Sequence, residues 1–462
     1  MPSCTRDQAE RLSRALQFRT LTITSADPRS DASLPPLLAF WDSLRRAFPL
    51  AARQLRWEAI GEMALLLTWE ASTEIAAGNP ILLYSHADVV PPGNEAGWTH
   101  APFGGDIADG FIWGRGALDD KNALLGSLEA VEGLLAQGFG PSRTVFLAFG
   151  ADEETSGERG ATAIARTLAD RGIRLACVFD ESSIISHGSI SFIKRPIAMI
   201  GIAEKGFANV EIIVQGRAGH AAMPGRHTAA GALCAAVAAL ERRPFPLRLT
   251  ATIERFFRCI APHAPGPLGL ALRFLKPLWP ILRGLLASNP SVATLLRTTQ
   301  AVTMLAAGER ANVIPEHARA VVNIRPLPGD TAESARSRME RIVRRHLPRG
   351  FTVQTRFLAG TGSSDPVPEK PLSPELWQAV TETIAEISPD AIPAPFMAIM
   401  LSDSRKFTHI SDSIVRLLPV VLDPGEVARI HGTDERISLE NYGRMIAYYA
   451  GVIRRAAGRR SA

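Results

Sequence analysis

Cysteine is scarce, four residues in 462, and Cys4, Cys177, Cys234 and Cys259 lack the short spacings of zinc knuckles or redox pairs. Cys177 and Cys234 lie in apolar runs, which predicts buried free thiols. Lysine is scarce too: six residues against 45 arginines. The 51 cations exceed the 46 acids by only five and are scattered, so no polyanion-binding surface is expected. The concentrated basic segment, Arg454, Arg455, Arg459 and Arg460, reads as a solvated helix end. Long hydrophobic runs are missing as well. The least charged stretch, 259–272, is 14 residues broken by three prolines, short of the roughly 20 needed to cross a bilayer. Arg6 and Asp7 come before any apolar signal core could form. These absences predict a soluble, cytoplasmic protein with no nucleic-acid partner and no transmembrane segment.

What is present is a chain 46% hydrophobic and 21% charged, with length for two or three domains. Helical spacing over 7–50 gives way to strand-like runs at 63–69 and 81–90, the second almost wholly apolar. A helix at about 120–137, a strand at 144–150, a helix at 160–172 and a strand at 174–180 follow. This alternation predicts an α/β unit with a mainly parallel sheet flanked by helices. Beyond 204 the order becomes β-α-β-β-α-β, a small α+β unit interrupted by an apolar insert at about 255–298. The expected division is 1–203 and 359–462 for the catalytic unit, with 204–358 as an inserted lid. There are no internal repeats.

Potential ligands cluster at strand ends. His86 and Asp88 close one apolar strand, Glu153 and Glu154 follow a second, and Asp180 ends a third; Asp119 and Asp120 precede a helix. Singly, each reads as a cap or a turn residue. Together they deliver carboxylates and imidazole to the carboxyl edge of one sheet, where open α/β sheets bind ligands. So many converging anions predict a divalent metal.

The motifs HADVVP, WTHAPFGG, GRGALDDK, GADEETSG, VFDES, GRAGHAAMPG and RIHGTDERI occur in an order that resembles the zinc-dependent aminoacylase/carboxypeptidase family. HADVVP and the Asp-Glu pair at 180–181 resemble the carboxypeptidase S and N-fatty-acyl amino acid hydrolase branch. The resemblance spans roughly 10–450 and implies a zinc-exopeptidase fold with two Zn²⁺, Co²⁺ or Mn²⁺ being alternatives. It implies Asp119 as bridging ligand, His86 and Asp180 on one ion, and Glu154 and His431 on the other. A cis peptide after Asp119 is also implied. Asp88 would orient His86, and Glu153 would be the general base. His220 would hydrogen-bond the developing oxyanion, in many members across a dimer interface. Asn312 and Arg325 match residues near the substrate carboxylate, and Lys205 matches a lysine near the hinge. Asp403 and Arg405 match a substrate loop, but Leu401 and Ser402 stand where relatives often have Gly and Thr.

The expected activity is therefore hydrolysis of N-acyl amino acids, including N-fatty-acyl ones, or of dipeptides with a free carboxylate. The enzyme would act as a monomer or as a homodimer through the lid. Two alternatives are a dipeptidase or carboxypeptidase of the carboxypeptidase S type, and a non-catalytic binding protein for amino-acid conjugates. The presence of Glu153 and of every expected ligand argues against the latter. The insert reads either as an extra helical layer on the lid, as an apolar wall for an acyl chain, or as a flap that meets lipid.

Overall fold

Ile81–His86 and Val145–Gly150 are each buried at all six positions. A strand covered on both faces needs apolar residues throughout, not at alternate positions. The computed structural model that shows this describes residues 3–24, 27, 31–72 and 78–458. Arg459 and Arg460 of the basic tail lie outside the described residues.

The first half of the chain supplies β1 (Arg56–Ile60), β2 (Ala64–Trp69), β3 (Ile81–His86), β4 (Val145–Gly150), β5 (Cys177–Ser186) and β6 (Ile197–Glu204). Next come β7 (Phe207–Gln215), β8 (Thr299–Ala307), β9 (His317–Arg325) and β10 (Thr352–Phe357), then β11 (Ile392–Ala398) and β12 (Ile414–Leu422). Eight of these form one sheet in the order β1-β2-β4-β3-β5-β12-β6-β11. Its centre is parallel, with β3 between β4 and β5, β12 beside β5, and β11 beside β6. β1 with β2, β2 with β4, and β5 with β6 are antiparallel, so the sheet is mixed. The reason lies in the connections. Only residues 61–63 join β1 to β2, whereas a parallel crossover needs about a dozen residues or more.

Helices Lys121–Ala136 and Leu439–Ala457 build the core on one face of this sheet, and Ala161–Asp170 builds it on the other. The second sheet has the order β8-β9-β7-β10 and is antiparallel throughout. Helices Ala229–Glu241 and Ala332–His346 cover one of its faces. Ser363–Ser364 also pairs with β7, so this sheet reaches past position 358.

The insert forms four helices, Ala251–Ile260, Gly266–Arg273, Leu275–Ala287 and Pro290–Leu296. They pack chiefly on the edge of the large sheet, where Phe256, Phe257 and Ile260 meet Ile197, Phe396 and Met397. The extra layer thus covers β6 and β11 rather than the lid. Cys177 is buried as expected, but Cys234 is exposed on its helix.

Candidate active site

The end of β3, the segment before the helix Lys121–Ala136, β5 itself, the turn after β4 and the segment after β12 all present potential ligands at the carboxyl edge of the large sheet. β3 ends on His86, whose Nε2 lies 2.8 Å from Asp119 Oδ1. Asp119 stands two residues before the helix that begins at Lys121, and its peptide bond to Asp120 is cis. On the other side His431 Nε2 lies 3.1 Å from Asp119 Oδ2 and 2.9 Å from Glu154 Oε1. Two groups of potential metal ligands result: His86, Asp119 and Glu181, and Asp119, Glu154 and His431. They share Asp119, one oxygen facing each imidazole.

One expected ligand lies outside both groups. Asp180 is not in the first group; its Oδ2 accepts a hydrogen bond from Ser404 N at 2.8 Å, and it is buried. Glu181 stands there instead, 3.9 Å from His86 Nε2. Successive side chains of a strand point to opposite faces. Only one of two adjacent acids in β5 can therefore reach His86, and VFDES alone does not reveal which.

Asp88 organises the rest. His86 Nδ1 lies 3.0 Å from its carbonyl oxygen and 3.3 Å from Oδ1. The same carboxylate accepts from Glu153 N at 3.2 Å and Glu154 N at 3.3 Å. It thus orients one imidazole and also positions the turn that carries both glutamates. Gly157 closes that turn with φ 66°, a left-handed conformation, and a Cβ there would strike the Asp403 carboxylate.

The electrostatics follow from crowding. Burial pushes Asp119 up, but hydrogen bonds from His431 and His86 outweigh it and hold the group well below the usual carboxylate range. Burial would lower His86, yet Asp119 and Asp88 raise it well above its ordinary value. Asp119 and Glu154 carry His431 up to about 10. Glu153 is raised well above 4.5, chiefly by lost hydration and despite His86, with Asp403, Glu154 and Asp119 adding to the rise. The donor set fits a pair of divalent cations: it combines two imidazoles with three carboxylates, and Glu153 lies outside both groups.

A cavity of about 970 Å³ opens beside Glu153 and Glu154 and is lined also by Phe207, Ser364, Leu401 and Arg405. It is of the size typical for small-molecule sites. Arg405 donates to Ser364 Oγ at 3.2 Å. Arg325 lies with its guanidinium 4.8 Å from the centre of the Phe207 ring. Burial lowers the Arg325 pKa, Glu204 opposes that, and Arg405 adds to the lowering, so the two cations sense each other.

Four residues expected to contact substrate or oxyanion do not line this cavity. The Lys205 ammonium is buried and donates to the carbonyls of Thr294 and Arg297 at 3.0 and 2.9 Å. It satisfies the C-terminal end of the last insert helix, as cations commonly do, and is not directed into the cavity. Asp403 is also buried and accepts from Tyr84 Oη at 2.6 Å. His220 and Asn312 are both exposed and line no part of the cavity. They neighbour one another on the lid, where Gly219–His220 pairs with Val313–Ile314 and Asn312 O accepts from Ala221 N. No residue of the insert lines the cavity either.

Sequence reasoning missed Glu181, Arg115 and Glu435. Glu435 sits in the RIHGTDERI motif, four residues past His431, and Arg115 opens the segment that leads to Asp119. Both are buried, and a buried charge needs a partner.

Comparison with known proteins agrees with this geometry. Residues 82–455 match the family described as Peptidase family M20/M25/M40. The probable carboxypeptidase S-like 2 of Dictyostelium discoideum is 33% identical, covering 96% of this chain and 84% of that protein. The N-fatty-acyl-amino acid synthase/hydrolase PM20D1 of Homo sapiens is 34% identical, covering 97% and 87%. The solved M20 family metallo-carboxypeptidase Sso-CP2 from Sulfolobus solfataricus shares the fold, with a TM-score of 0.71 at 16% identity over 98% of this chain and 99% of that one. The chain belongs to peptidase family M20/M25/M40 and is a metal-dependent amide hydrolase.

Proposed function

We propose that the chain hydrolyses the amide bond of N-acyl amino acids, N-fatty-acyl ones included, or of dipeptides with a free carboxylate. One observation carries this reading: two ligand groups share Asp119, and Glu153 faces the adjoining cavity without belonging to either. In this assignment His86 and Glu181 would hold one ion, Glu154 and His431 would hold the other, and Asp119 would serve both. Two Zn²⁺ suit these donors, with Co²⁺ or Mn²⁺ as substitutes. Such a pair, when bound, supplies Lewis acidity and acidifies water. Glu153 takes the proton of the attacking water and returns it to the departing nitrogen. Arg405 and Arg325 receive the substrate carboxylate, for which the arginine fork is suited.

His220 and Asn312 complete the site from the lid. Their exposure supports a contribution made on lid movement or across a subunit interface. The outer edge of the lid sheet is β8, where Met304 and Leu305 are exposed, and this supports a homodimer formed along that edge. The functional division is a catalytic unit interrupted by the lid near 204 and 358. Four unpaired cysteines are in keeping with the cytoplasm.

The dipeptidase or carboxypeptidase reading has its own support, because the apolar insert lines no part of the cavity. Activity on matched substrates separates the two. Zinc-loaded protein is incubated with N-acetyl, N-octanoyl and N-oleoyl derivatives of Phe, Leu and Glu and with Gly-Leu, and released amino acid is quantified by mass spectrometry. Rates that rise with acyl length identify a fatty-acyl hydrolase, and preference for Gly-Leu identifies a peptidase. No release above a Glu153→Ala blank refutes both.

A further inference from the structure

Between Glu254 and Glu309 the chain contains no acidic residue, yet the insert carries Arg255, Arg258, Arg273, Lys276, Arg283 and Arg297. The charges that look scattered along the whole chain are unbalanced here. Arg258 pairs with Glu254 just outside the stretch. Arg273, Lys276 and Arg283 are exposed, with no carboxylate of their own segment to neutralise them.

The same segment exposes large apolar side chains. Ile281 is 76% accessible, Leu285 65%, Leu270 63% and Phe274 52%. On the helix Leu275–Ala287, Ile281 and Leu285 are one turn apart, and Phe274 precedes Ile281 by two turns, so the three share a flank. Leu275 and Leu286 stand about a third of a turn round the helix from that flank and pack into the core. This is no loose flap, because its inner face is packed on β6 and β11 and its last helix is held by Lys205. A firmly mounted layer thus presents an apolar flank and an unopposed positive charge.

We propose that the outer surface of the insert docks peripherally on an anionic lipid bilayer. Exposed Phe, Leu and Ile beside Lys and Arg are the composition of interfacial helices, which lie in the headgroup region. Lys276 and Arg283 project from the other side of the helix. With Leu275 and Leu286 held in the core, the face turned to solvent lies between the apolar flank and these two cations, whose long side chains reach round it to the headgroups. A second copy of the chain is a poor occupant, because it would set one acid-free basic surface against another. Under the proposed function, this docking also brings the site to bilayers in which long-acyl substrates partition; the docking itself does not depend on that reading.

The test is co-sedimentation of the full chain with vesicles of phosphatidylcholine alone or mixed with phosphatidylglycerol. Two variants accompany it, Ile281→Ser/Leu285→Ser and Arg273→Gln/Lys276→Gln/Arg283→Gln. All the substituted residues are exposed, and an unchanged unfolding midpoint verifies folding. The wild type is expected to sediment with the anionic vesicles only, and less so as salt rises. Each variant is expected to bind about tenfold more weakly or less. Equal binding to both vesicle types, binding to neither, or variants that bind like the wild type would overturn the proposal. So would a wild-type oligomer that the Ile281→Ser/Leu285→Ser variant dissociates in light scattering, since the face would then be a self-interface.

Discussion

Arg115 and Glu435 form a buried ion pair, Nη1 to Oε2 at 2.5 Å, that joins the two halves of the candidate metal centre. Glu435 Oε1 accepts from Gly116 N at 3.0 Å, Leu118 N at 2.7 Å and Asp119 N at 3.2 Å. Arg115 Nη2 donates to the carbonyls of His431 and Gly432 at 3.0 and 3.1 Å. The carboxylate that the two ligand groups share and the imidazole opposite it therefore hang on one pair of charges. His431 itself has φ 61°, a conformation that a residue with a side chain holds only when its surroundings enforce it.

Loosening this brace should weaken metal binding before it abolishes the fold. Arg115→Met and Glu435→Gln are each expected to lower metal affinity by about 10- to 100-fold, the usual cost of losing support behind the ligands. Competition against a chromophoric chelator measures it. Unchanged affinity in both variants would reduce the pair to a fold-stabilising role.

Glu181 and Asp180 give opposite predictions although they are neighbours. Glu181→Gln should remove one metal equivalent, whereas Asp180→Asn should keep both, because Asp180 faces Ser404 N. Metal content by plasma mass spectrometry after dialysis decides. Loss on Asp180→Asn and retention on Glu181→Gln would restore the ligand set implied by the family resemblance.

Glu153→Gln should separate binding from chemistry. Since Glu153 belongs to neither ligand group, metal content should be unchanged, while kcat falls by about 10²- to 10⁴-fold, the usual contribution of a general base. Parallel metal analysis and turnover on the best substrate of the panel check this.

Asp403 makes stability depend on pH. Burial raises its carboxyl from 3.8 to about 7, with the Tyr84 hydrogen bond opposing the rise and Asp152 and Asp180 adding to it. The folded state thus holds a proton that the unfolded chain has released, and stability contributed by this group falls as pH rises from about 4 to 7. The full effect is about 4 kcal/mol at most. Urea unfolding at pH 5 and pH 8 should show more than half of this loss in the wild type, and Asp403→Asn should remove much of it. Parallel curves for the two proteins would refute the assignment.

Much of the fold was legible because its signals are local. Continuous apolar runs marked β3 and β4 as doubly covered strands, and the switch of grammar near 204 marked the second sheet. His86, Asp119, Glu154 and His431 were legible for a different reason: their motifs occur in a recognisable order, each closing or preceding an element whose end is visible in the sequence. The β1–β2 hairpin and the pairing of β5 with β6 were not read, because strand direction depends on connections rather than on apolar pattern. Lys205 and Asp403 matched their motifs, yet burial turned one to carbonyl oxygens and the other to Tyr84.

By itself, then, the sequence determined which elements form and which residue types meet at the carboxyl edge of the large sheet, since both follow from short-range periodicity and from strand ends. Only the tertiary structure decided that Glu181 rather than Asp180 faces His86, because strand alternation fixes a relative facing but not its absolute sense. It also decided that Arg115 reaches Glu435 from more than 300 residues away in the chain, and that the insert turns an apolar, basic surface outward from β6 and β11 instead of towards the cavity. Each is a matter of which buried groups find partners across distant segments, and such pairing is set by packing, which no local pattern encodes.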